Sequence, residues 1–480
     1  MATTTASART LAIAEITENI CSYSEHKELF ALALASKSVS ESALDVLWTD
    51  VKTLKDLFLL IPGCFEDDYG LFLPSKPIQP EGWTRFKSRA ARIRSLEVGK
   101  NLPNDARPDS STYKTMAEMF PNAPLLPRLR RLAYTVPRLE EDMGWERQMR
   151  LELKSLLTPS LTVFVFEAQE ANSHIILDSV ASTCGEIRGL KWRKPWFTTH
   201  LPHSLSRFST LRTLKISGAE LNDENVGIIS RLSSLTHLNV LFDFDWSKQR
   251  TAPFNNIHRI LGNLETLNIR GINEDVVNFI SCVDSSRLHS LVAVLGWEAP
   301  RPAASIRNVI SSLTTLSLMF TASDRRDDPI DVENLLEPFG HATRITELSI
   351  KFLWWTLGWT LDAHLSELLK NFPLLESLEI IFQVESSNWS DMASLNLLCN
   401  AAKSCPKLRR IKFVGNINIT LLDGPVRDSF TELEELDFGE SNARDKHRRE
   451  VGVDRGLLLE FVESIAPGLS MDRVTVGRLN

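Results

Sequence analysis

The 480-residue sequence predicts an α/β fold, in which an irregular solenoid of repeated strand–helix units follows three short N-terminal helices. A six-residue pattern with apolar positions 1, 4 and 6 is the main observation. It reads LRTLKI at 211–216, LTHLNV at 235–240 and LETLNI at 264–269. Apolar positions 4 and 6 alternate as a half-buried strand requires, and a return after 24 and 29 residues is typical of leucine-rich repeats.

Ten further copies of this pattern extend the array over residues 93–480. They begin at Ile93, Leu129, Leu161, Ile187, Leu288, Leu313, Ile345, Leu375, Leu408 and Leu433. We therefore expect a parallel sheet on the concave face of a solenoid, helices on its convex face, and a closing helix and strand near the C-terminus. Leucine-rich repeats usually place an asparagine in the turn after each strand, and its absence from most copies predicts an irregular coil.

The composition excludes several classes of protein. A formal net charge of -7 disfavours a nucleic-acid binder, which usually carries a basic surplus. The six cysteines form no CxxC pair, so neither a disulfide framework nor a zinc site is indicated. No apolar run approaches the ~20 residues that span a bilayer, and no secretory apolar segment follows the Ser/Thr-rich start. We expect a cytoplasmic and/or nuclear protein without membrane contact; a transit peptide is the alternative for the first residues.

Residues 1–52 are predicted to form a three-helix module. Ile13, Ile16 and Ile20 recur at helical spacing in the first helix. Ser24 is predicted to cap the second helix, and Ser38 the third, through an S-x-x-E capping box. A module of this size buries little surface on its own. It therefore needs a partner, or it serves as a polar cap for the repeats. Residues 53–92 are predicted to be a connector with a short helix and a Pro-rich loop.

The segments LAIAEITENICSY and KELFALALASKSVSESALDVLW resemble the F-box of fungal F-box proteins. The family pattern is Leu-x-x-Pro-Glu-Ile, an aliphatic run, a helix with paired leucines and a closing Leu-Trp. The matching residues are Leu11, Glu15, Ile16, Ile20, Leu29, Leu32, Leu47 and Trp48. Ala14 stands where the family has proline, and Ser24 where it commonly has an aliphatic residue. The stretch at 83–98 also resembles the segment that leads into the repeats of such proteins.

The resemblance implies a non-catalytic substrate receptor of an SCF-type cullin–RING ubiquitin ligase. In that family the F-box docks on the adaptor subunit, and the repeats hold a protein substrate for ubiquitination. The residues expected to contact the adaptor are Leu11, Ile16, Ile20, Leu29, Leu32, Leu47 and Trp48. The alternative is a leucine-rich-repeat interaction scaffold whose helical cap does not engage a ligase.

Seven tryptophans lie 9 to 14 residues after the start of a repeat motif, and we expect them along one rim of the solenoid. They are Trp196, Trp246, Trp297, Trp354, Trp355, Trp359 and Trp389. Tryptophan is enriched at binding hot spots, so these residues are predicted to bind the protein partner; alternatively, their rings fill space between strand and helix layers.

Alternating polar positions on the strands predict a charged sheet face. Its N-terminal half is expected to be basic and its C-terminal half acidic, with Arg410 and Lys412 set between the acids. The remaining predicted members are Arg131, Lys191, Lys215, Glu347, Glu379, Glu435 and Asp437. Such charges select partners more than they add affinity, although an ordinary solvated strand face has the same appearance.

No catalytic or cofactor-binding motif is present in the sequence. His200 and His203 form an HxxH pair, but Pro202 interrupts the helix that a zinc pair requires and no third ligand follows at metal spacing. Walker A, G-x-S-x-G and dinucleotide-binding patterns are missing. We therefore expect neither an enzyme nor a cofactor.

Overall fold

The computed structural model divides the chain into two compact units, Met1–Lys215 and Ile216–Asn480. Within each unit, parallel strands follow one another in chain order. The residues that the structure describes are 14–67, 70–73, 80–99, 110–119, 124–136, 145–167, 173–198, 200–220, 222–242, 260–271, 273–284, 286–296, 307–321, 337–353, 361–383, 393–414, 416–418, 429–438, 442–443 and 455–475.

The first unit begins with a helical module of three helices. They are α1 (Ala14–Tyr23), α2 (His26–Ala35) and α3 (Lys37–Leu47). The core of the module consists of small and aliphatic side chains from all three helices, namely Cys21, Leu29, Val39 and Ala43. Three helices are therefore present where the sequence predicts them.

The helix caps of this module differ from those predicted. Glu25, not Ser24, is the N-cap of α2, and its backbone N–H donates to the Glu28 carboxylate at 2.9 Å. The Ser24 hydroxyl instead donates to a carbonyl of the preceding helix. Ser36, not Ser38, caps α3 and accepts from the backbone N–H of Ser38. The predicted cap Ser24 lies one residue before the observed cap, and the predicted cap Ser38 lies two residues after the observed one. Several Ser and Glu residues near each helix start could serve as the cap.

The first unit continues with strands alternating with helices. These elements are β1 (Asp50–Val51), α4 (Lys55–Phe58), β2 (Phe65–Asp67), β3 (Gly70–Phe72), α5 (Pro80–Ala90), β4 (Ser95–Val98), α6 (Ser110–Met119), β5 (Arg131–Thr135), α7 (Trp145–Leu156), β6 (Val163–Glu167), α8 (Ser173–Thr183), β7 (Gly189–Thr198), a 3₁₀ turn (His203–Arg207) and β8 (Thr213–Ala219). Strands β1, β4, β5, β6 and β7 pair in parallel in that order, whereas β2 and β3 form an antiparallel hairpin. The boundary between the units falls within β8.

The second unit repeats the same alternation. Its elements are α9 (Asp223–Ser230), β9 (His237–Phe242), β10 (Thr266–Arg270), α10 (Asn273–Cys282), β11 (Ser290–Gly296), α11 (Arg307–Ile310), β12 (Thr315–Thr321), a 3₁₀ turn (Glu337–His341), β13 (Glu347–Leu353), α12 (Leu361–Leu369), β14 (Ser377–Gln383), β15 (Ala393–Ser394), α13 (Asn396–Ser404), β16 (Arg410–Val414), β17 (Asn416–Asn418), β18 (Glu435–Asp437), β19 (Asn442–Ala443), α14 (Arg455–Ile465), a 3₁₀ turn (Met471–Arg473) and β20 (Val474–Thr475). From β9 to β20 the main strands pair in parallel, and β15, β17 and β19 form a separate small parallel sheet.

The predicted repeat motif is confirmed in all thirteen copies. Each copy lies on or just before a strand, and every apolar residue at positions 1, 4 and 6 is buried, with an exposed fraction of at most 8%. The register places position 4 of neighbouring strands side by side, as in Leu316, Leu348 and Leu378. Burying one such side chain contributes about 1.5–3 kcal/mol. The fold is therefore an α/β leucine-rich-repeat solenoid with helices at its N-terminus.

Aromatic stacking links neighbouring repeats where the usual asparagine is missing. Phe320 of β12 and Phe352 of β13 are register partners, and their rings stack with centroids 5.2 Å apart. Both side chains are at most 1% exposed. Such a pair stabilises the turn side of the two strands by packing rather than by hydrogen bonds to the backbone.

Candidate interaction surfaces

The helical module exposes large apolar side chains in two stripes. On α1, Ile16, Ile20 and Tyr23 recur at helical spacing and are 37%, 41% and 87% exposed. On α2, Phe30 and Leu34 are 62% and 74% exposed. The opposite side of α1 is turned to the core, since Thr17 and Cys21 are at most 1% exposed. A terminal cap of a repeat protein needs a polar outer face, and these five apolar side chains interrupt the polar surface of the module.

The structure separates the predicted adaptor-binding residues into two groups. Ile16 and Ile20 are exposed, but Leu29 is only 3% exposed and belongs to the module's own core. Leu32 and Leu47 pack against that core and Trp48 is half-buried at the end of α3, while Leu11 lies outside the described residues. The surface that a partner can reach therefore consists of part of the predicted set.

Sequence reasoning missed Tyr23, Phe30 and Leu34 as surface residues. The spacing of Phe30 and Leu34 is the i, i+4 spacing of one helix face, and Tyr23 extends the stripe of Ile16 and Ile20 by three residues. These intervals were readable from the sequence. What was not readable is which of two apolar faces on α2 packs inward, because both carry leucine.

Two contacts join the helical module to the first repeat. The backbone carbonyl of Thr49 accepts from the N–H groups of Arg94 at 3.0 Å and Ser95 at 2.9 Å, so that β1 pairs with β4. The Arg92 guanidinium bonds the carboxylates of Glu41 and Asp45 on α3 and the Glu41 carbonyl. The side chain of Arg92 is 12% exposed, and these ion pairs offset part of the cost of burying its charge. The module is therefore held to the end of the sheet by strand pairing and an ionic contact.

The predicted tryptophan rim lies almost entirely outside the described part of the chain. Trp196 is on β7, and nothing is described of its side chain. The remaining predicted members, Trp246, Trp297, Trp354, Trp355, Trp359 and Trp389, lie outside the described residues. Their role in binding a protein partner stays a prediction.

A groove of about 310 Å³ lies on the exposed sheet face of the second unit, across β12, β13, β14, β16 and β18. Charged side chains from adjacent strands, or from strands one apart, pair across it. Glu379 is 2.9 Å from Lys351 and 3.6 Å from Lys412, and Glu347 is 3.8 Å from Arg410. Register explains the pair with Lys412, since Glu379 stands between Ser349 and Lys412 on adjacent strands, and it places Glu347 and Arg410 on either side of Ser377.

The Glu379 carboxylate is the most embedded charge of this groove. Partial burial raises its pKa, but hydrogen bonds from Ser349 at 2.5 Å and from Lys351, together with the charges of Lys351 and Lys412, outweigh burial and hold the pKa below its ordinary value. Glu435 and Asp437 on β18 complete the predicted acidic set. Among the described residues, the three bases offset most of the predicted negative charge at this end of the sheet.

The predicted basic residues of the first unit are also where the sequence places them. Arg131, Lys191 and Lys215 lie next to buried residues on β5, β7 and β8, and all three are exposed. Arg193 on β7 pairs with Glu167 on β6 at 3.2 Å. This unit therefore presents a basic sheet face.

The described residues include no group of three or more His, Cys, Asp or Glu side chains that could hold a metal ion. His200 and His203 are exposed, and only His203 belongs to the short 3₁₀ turn. Burial raises the pKa of Cys184 to about 11 and that of Cys405 to about 12, so these thiols are poor nucleophiles in the folded protein. Within the described residues, no helix is both long and apolar enough to cross a membrane.

Comparisons with known proteins show likeness of structure without likeness of sequence. No family model matches the chain, and no curated protein matches it in sequence. An internalin from Listeria monocytogenes is 12% identical with a TM-score of 0.36, and the alignment covers 71% of this chain and 81% of that one.

Two further solved structures are similar to the chain at 12% identity. The structure of the Toll–Spatzle complex of Drosophila matches with a TM-score of 0.40 over 77% of this chain and 43% of that one. The TLR13–ssRNA13 complex matches with a TM-score of 0.37 over 78% of this chain and 58% of that one. The present chain thus spans less than two thirds of each of these two chains.

Proposed function

We propose that the protein is the substrate-recognition subunit of an SCF-type ubiquitin ligase. Its helical module would dock on the ligase adaptor, and its repeats would bind a protein substrate. The subunit would perform no chemistry itself; it would raise the effective concentration of substrate near the ubiquitin-conjugating enzyme. The F-box resemblance of the first 48 residues motivates the proposal.

One observation carries it: the exposed apolar stripes of α1 and α2. A module that only capped the repeats would keep these positions polar, because exposed Ile, Phe and Leu side chains invite aggregation. Burying such side chains in a partner's groove gains roughly 1.5–3 kcal/mol for each residue that is fully covered. The proposed contact residues are Ile16, Ile20, Tyr23, Phe30 and Leu34. Leu29, Leu32 and Leu47 support this surface from beneath.

The alternative function is an interaction scaffold whose helical module is only a cap. The pairing of β1 with β4 favours it, because the module closes the first edge of the sheet as a cap should. The two functions differ in whether the apolar stripes have a partner, and adaptor binding therefore decides between them.

The test is capture of purified ligase adaptor and cullin by the full-length protein. Ile20→Asp and Leu34→Asp place a charge on the exposed stripes without entering the core, and we expect each to abolish capture. Asn19→Asp and Lys27→Asp are the matched controls, since both alter exposed polar residues of the same helices and should capture normally. If the wild-type protein captures no adaptor, the ligase function is refuted and the scaffold function stands.

A further inference from the structure

Four arginines form a row along the edge of the first unit where its strands begin. Arg94, Arg130, Arg188 and Arg212 occupy position 2 of their repeat motifs, and all four are exposed. Backbone hydrogen bonds join these positions in sequence: Arg130 N–H donates to the Arg94 carbonyl at 2.7 Å, and Arg212 N–H donates to the Arg188 carbonyl at 2.8 Å. Thr162 connects the two pairs, with hydrogen bonds of 2.8 Å on both sides. We call these four residues the arginine row.

The repeat fold does not require arginine at this position. In the second unit, position 2 makes the same backbone hydrogen bonds with other residue types. Examples are Thr236, Glu265, His289, Thr314, Thr346 and Glu376. Position 2 holds arginine in four of the five described repeats of the first unit, but only at Arg409 among the eight of the second. Strand pairing therefore does not require the four arginines, and they are concentrated on one surface of the first unit.

Further bases lie beside the arginine row on the same strands. Exposed cations stand at positions 3, 5 and 7, namely Arg131, Lys191, Arg193 and Lys215. The nearby carboxylates are Glu97 and Glu167 on these described strands and Glu186, which lies two residues before Arg188. Eight bases against three acids leave a strong local positive charge in a protein whose formal net charge is -7.

We propose that this surface binds an extended acidic segment of a protein partner. Adjacent strands are about 4.8 Å apart, so the arginine row is about 19 Å long over its four strand intervals. An extended peptide rises about 3.3 Å per residue, so about six residues match this length. Guanidinium groups are suited to carboxylates because their fork geometry allows two parallel hydrogen bonds to one carboxylate. Complementary charge also steers the approach of such a segment.

A single-stranded nucleic acid is the less suitable ligand. Proteins that bind it without sequence preference combine bases with aromatic rings on which nucleobases stack. The described half-buried positions between the bases hold Thr162, Val163, Val165, Gly189 and Thr213, and no aromatic residue is among them. An acidic peptide needs only the charges and donors that this surface supplies.

The experiment is a fluorescence-anisotropy titration of the full-length protein with a labelled Glu-rich peptide of about six residues. A Gln peptide of equal length is the uncharged control, and we expect it not to bind. Arg130→Glu combined with Arg188→Glu should weaken binding about tenfold or more, since two charge-assisted hydrogen-bond sites are lost. Arg130→Lys combined with Arg188→Lys should retain most of the affinity, and Arg409→Glu should not change it. Unchanged thermal melting of the variants shows that they fold.

Three results would overturn the inference. They are no binding by the wild type, equal binding by the charge-reversed double variant, and tighter binding of a single-stranded RNA that the Glu peptide cannot displace. The inference deepens the proposed function by giving the chemistry of the substrate, and to that extent rests on it. The titration contains no ligase component, so loss of peptide binding and loss of adaptor capture are separate outcomes.

Discussion

A buried carboxylate in the first unit gives the sharpest stability prediction. Glu152 on α7 is 1% exposed and accepts hydrogen bonds from the hydroxyls of Tyr113 on α6 and Tyr134 on β5, each at 2.7 Å. Replacing Glu152 by Leu removes both acceptors while keeping an apolar side chain of similar size. Each tyrosine hydroxyl would then be buried without that acceptor, at a cost of about 1–3 kcal/mol. We expect Glu152→Leu to destabilise the unit by about 2–6 kcal/mol.

The assay is thermal unfolding followed by circular dichroism. For a unit of this length, 1 kcal/mol corresponds to a shift of about 2–4 °C, so Glu152→Leu should lower the melting temperature of the unit by at least about 4 °C. Glu152→Gln retains one acceptor and adds a donor for the other hydroxyl, so we expect a much smaller shift.

Removing the tyrosine hydroxyls separates this explanation from a simple packing defect. Tyr113→Phe and Tyr134→Phe combined with Glu152→Leu leave three apolar side chains where a polar cluster stood. Replacing both hydroxyls together with their shared acceptor by apolar groups of similar shape costs less than removing the acceptor alone, so the triple variant should be more stable than Glu152→Leu. If the triple variant is no more stable than Glu152→Leu, the unsatisfied hydroxyls are not the cause and the reasoning fails.

Three further predictions concern the core, the ionic groove and the thiols. Leu267→Ala empties a fully buried position of β10 and should cost about 2–5 kcal/mol, measured by urea unfolding. Partial burial raises the pKa of Glu379, but hydrogen bonds from Ser349 and Lys351 hold this pKa below its ordinary value. The stability that ionised Glu379 contributes is therefore present above the unfolded-state pKa and is lost as the pH falls through the folded-state pKa. The stability difference between wild type and Glu379→Gln should therefore shrink on acidification, as acid titration of the melting temperature would show. Cys405 should resist iodoacetamide at mildly alkaline pH until the protein is unfolded, as mass mapping of the alkylated peptides would show, because burial raises its pKa to about 12.

The first of these predictions has a matched control, and the other two have contradicting results. The control for Leu267→Ala is Thr266→Ala, which alters the half-exposed residue next to Leu267 and should change stability by less than about 0.5 kcal/mol. A pH-independent difference for Glu379→Gln would show that its ionic partners do not stabilise the fold. Rapid alkylation of Cys405 in the native protein would show that its environment opens readily.

The repeat strands were predictable because the pattern itself encodes burial. An apolar residue at positions 1, 4 and 6 has a single low-energy placement, toward the core, and this holds in all thirteen copies. The first strand, β1, could not be predicted in this way. Its two residues, Asp50 and Val51, carry no motif, and they form a strand only because the backbone of β4 is available to pair with them.

The charged residues of the candidate surfaces were predictable from the sequence, but the ion pairs that they form were not. Glu379, Lys412 and Arg410 could be placed on the exposed face from alternation alone. The ion-pair partners of these residues depend on the register between strands that lie about 30 residues or more apart in the sequence. Lys351 also lies one residue beyond the six-residue repeat motif that begins at Ile345. The arginine row was missed for a related reason, because position 2 is outside the strict alternation of a strand.

The helical module supplies a strand to the repeats, and this affects how the protein can be divided into fragments. A fragment that begins at residue 53, after the three-helix segment predicted from the sequence, would lack β1 and leave the edge of β4 unpaired. It would also leave Arg92 without the carboxylates of Glu41 and Asp45. An exposed parallel edge is prone to self-association. Expression of the repeats alone should therefore start upstream of α3, and any recombination that exchanges the helical module between proteins would have to carry β1 with it.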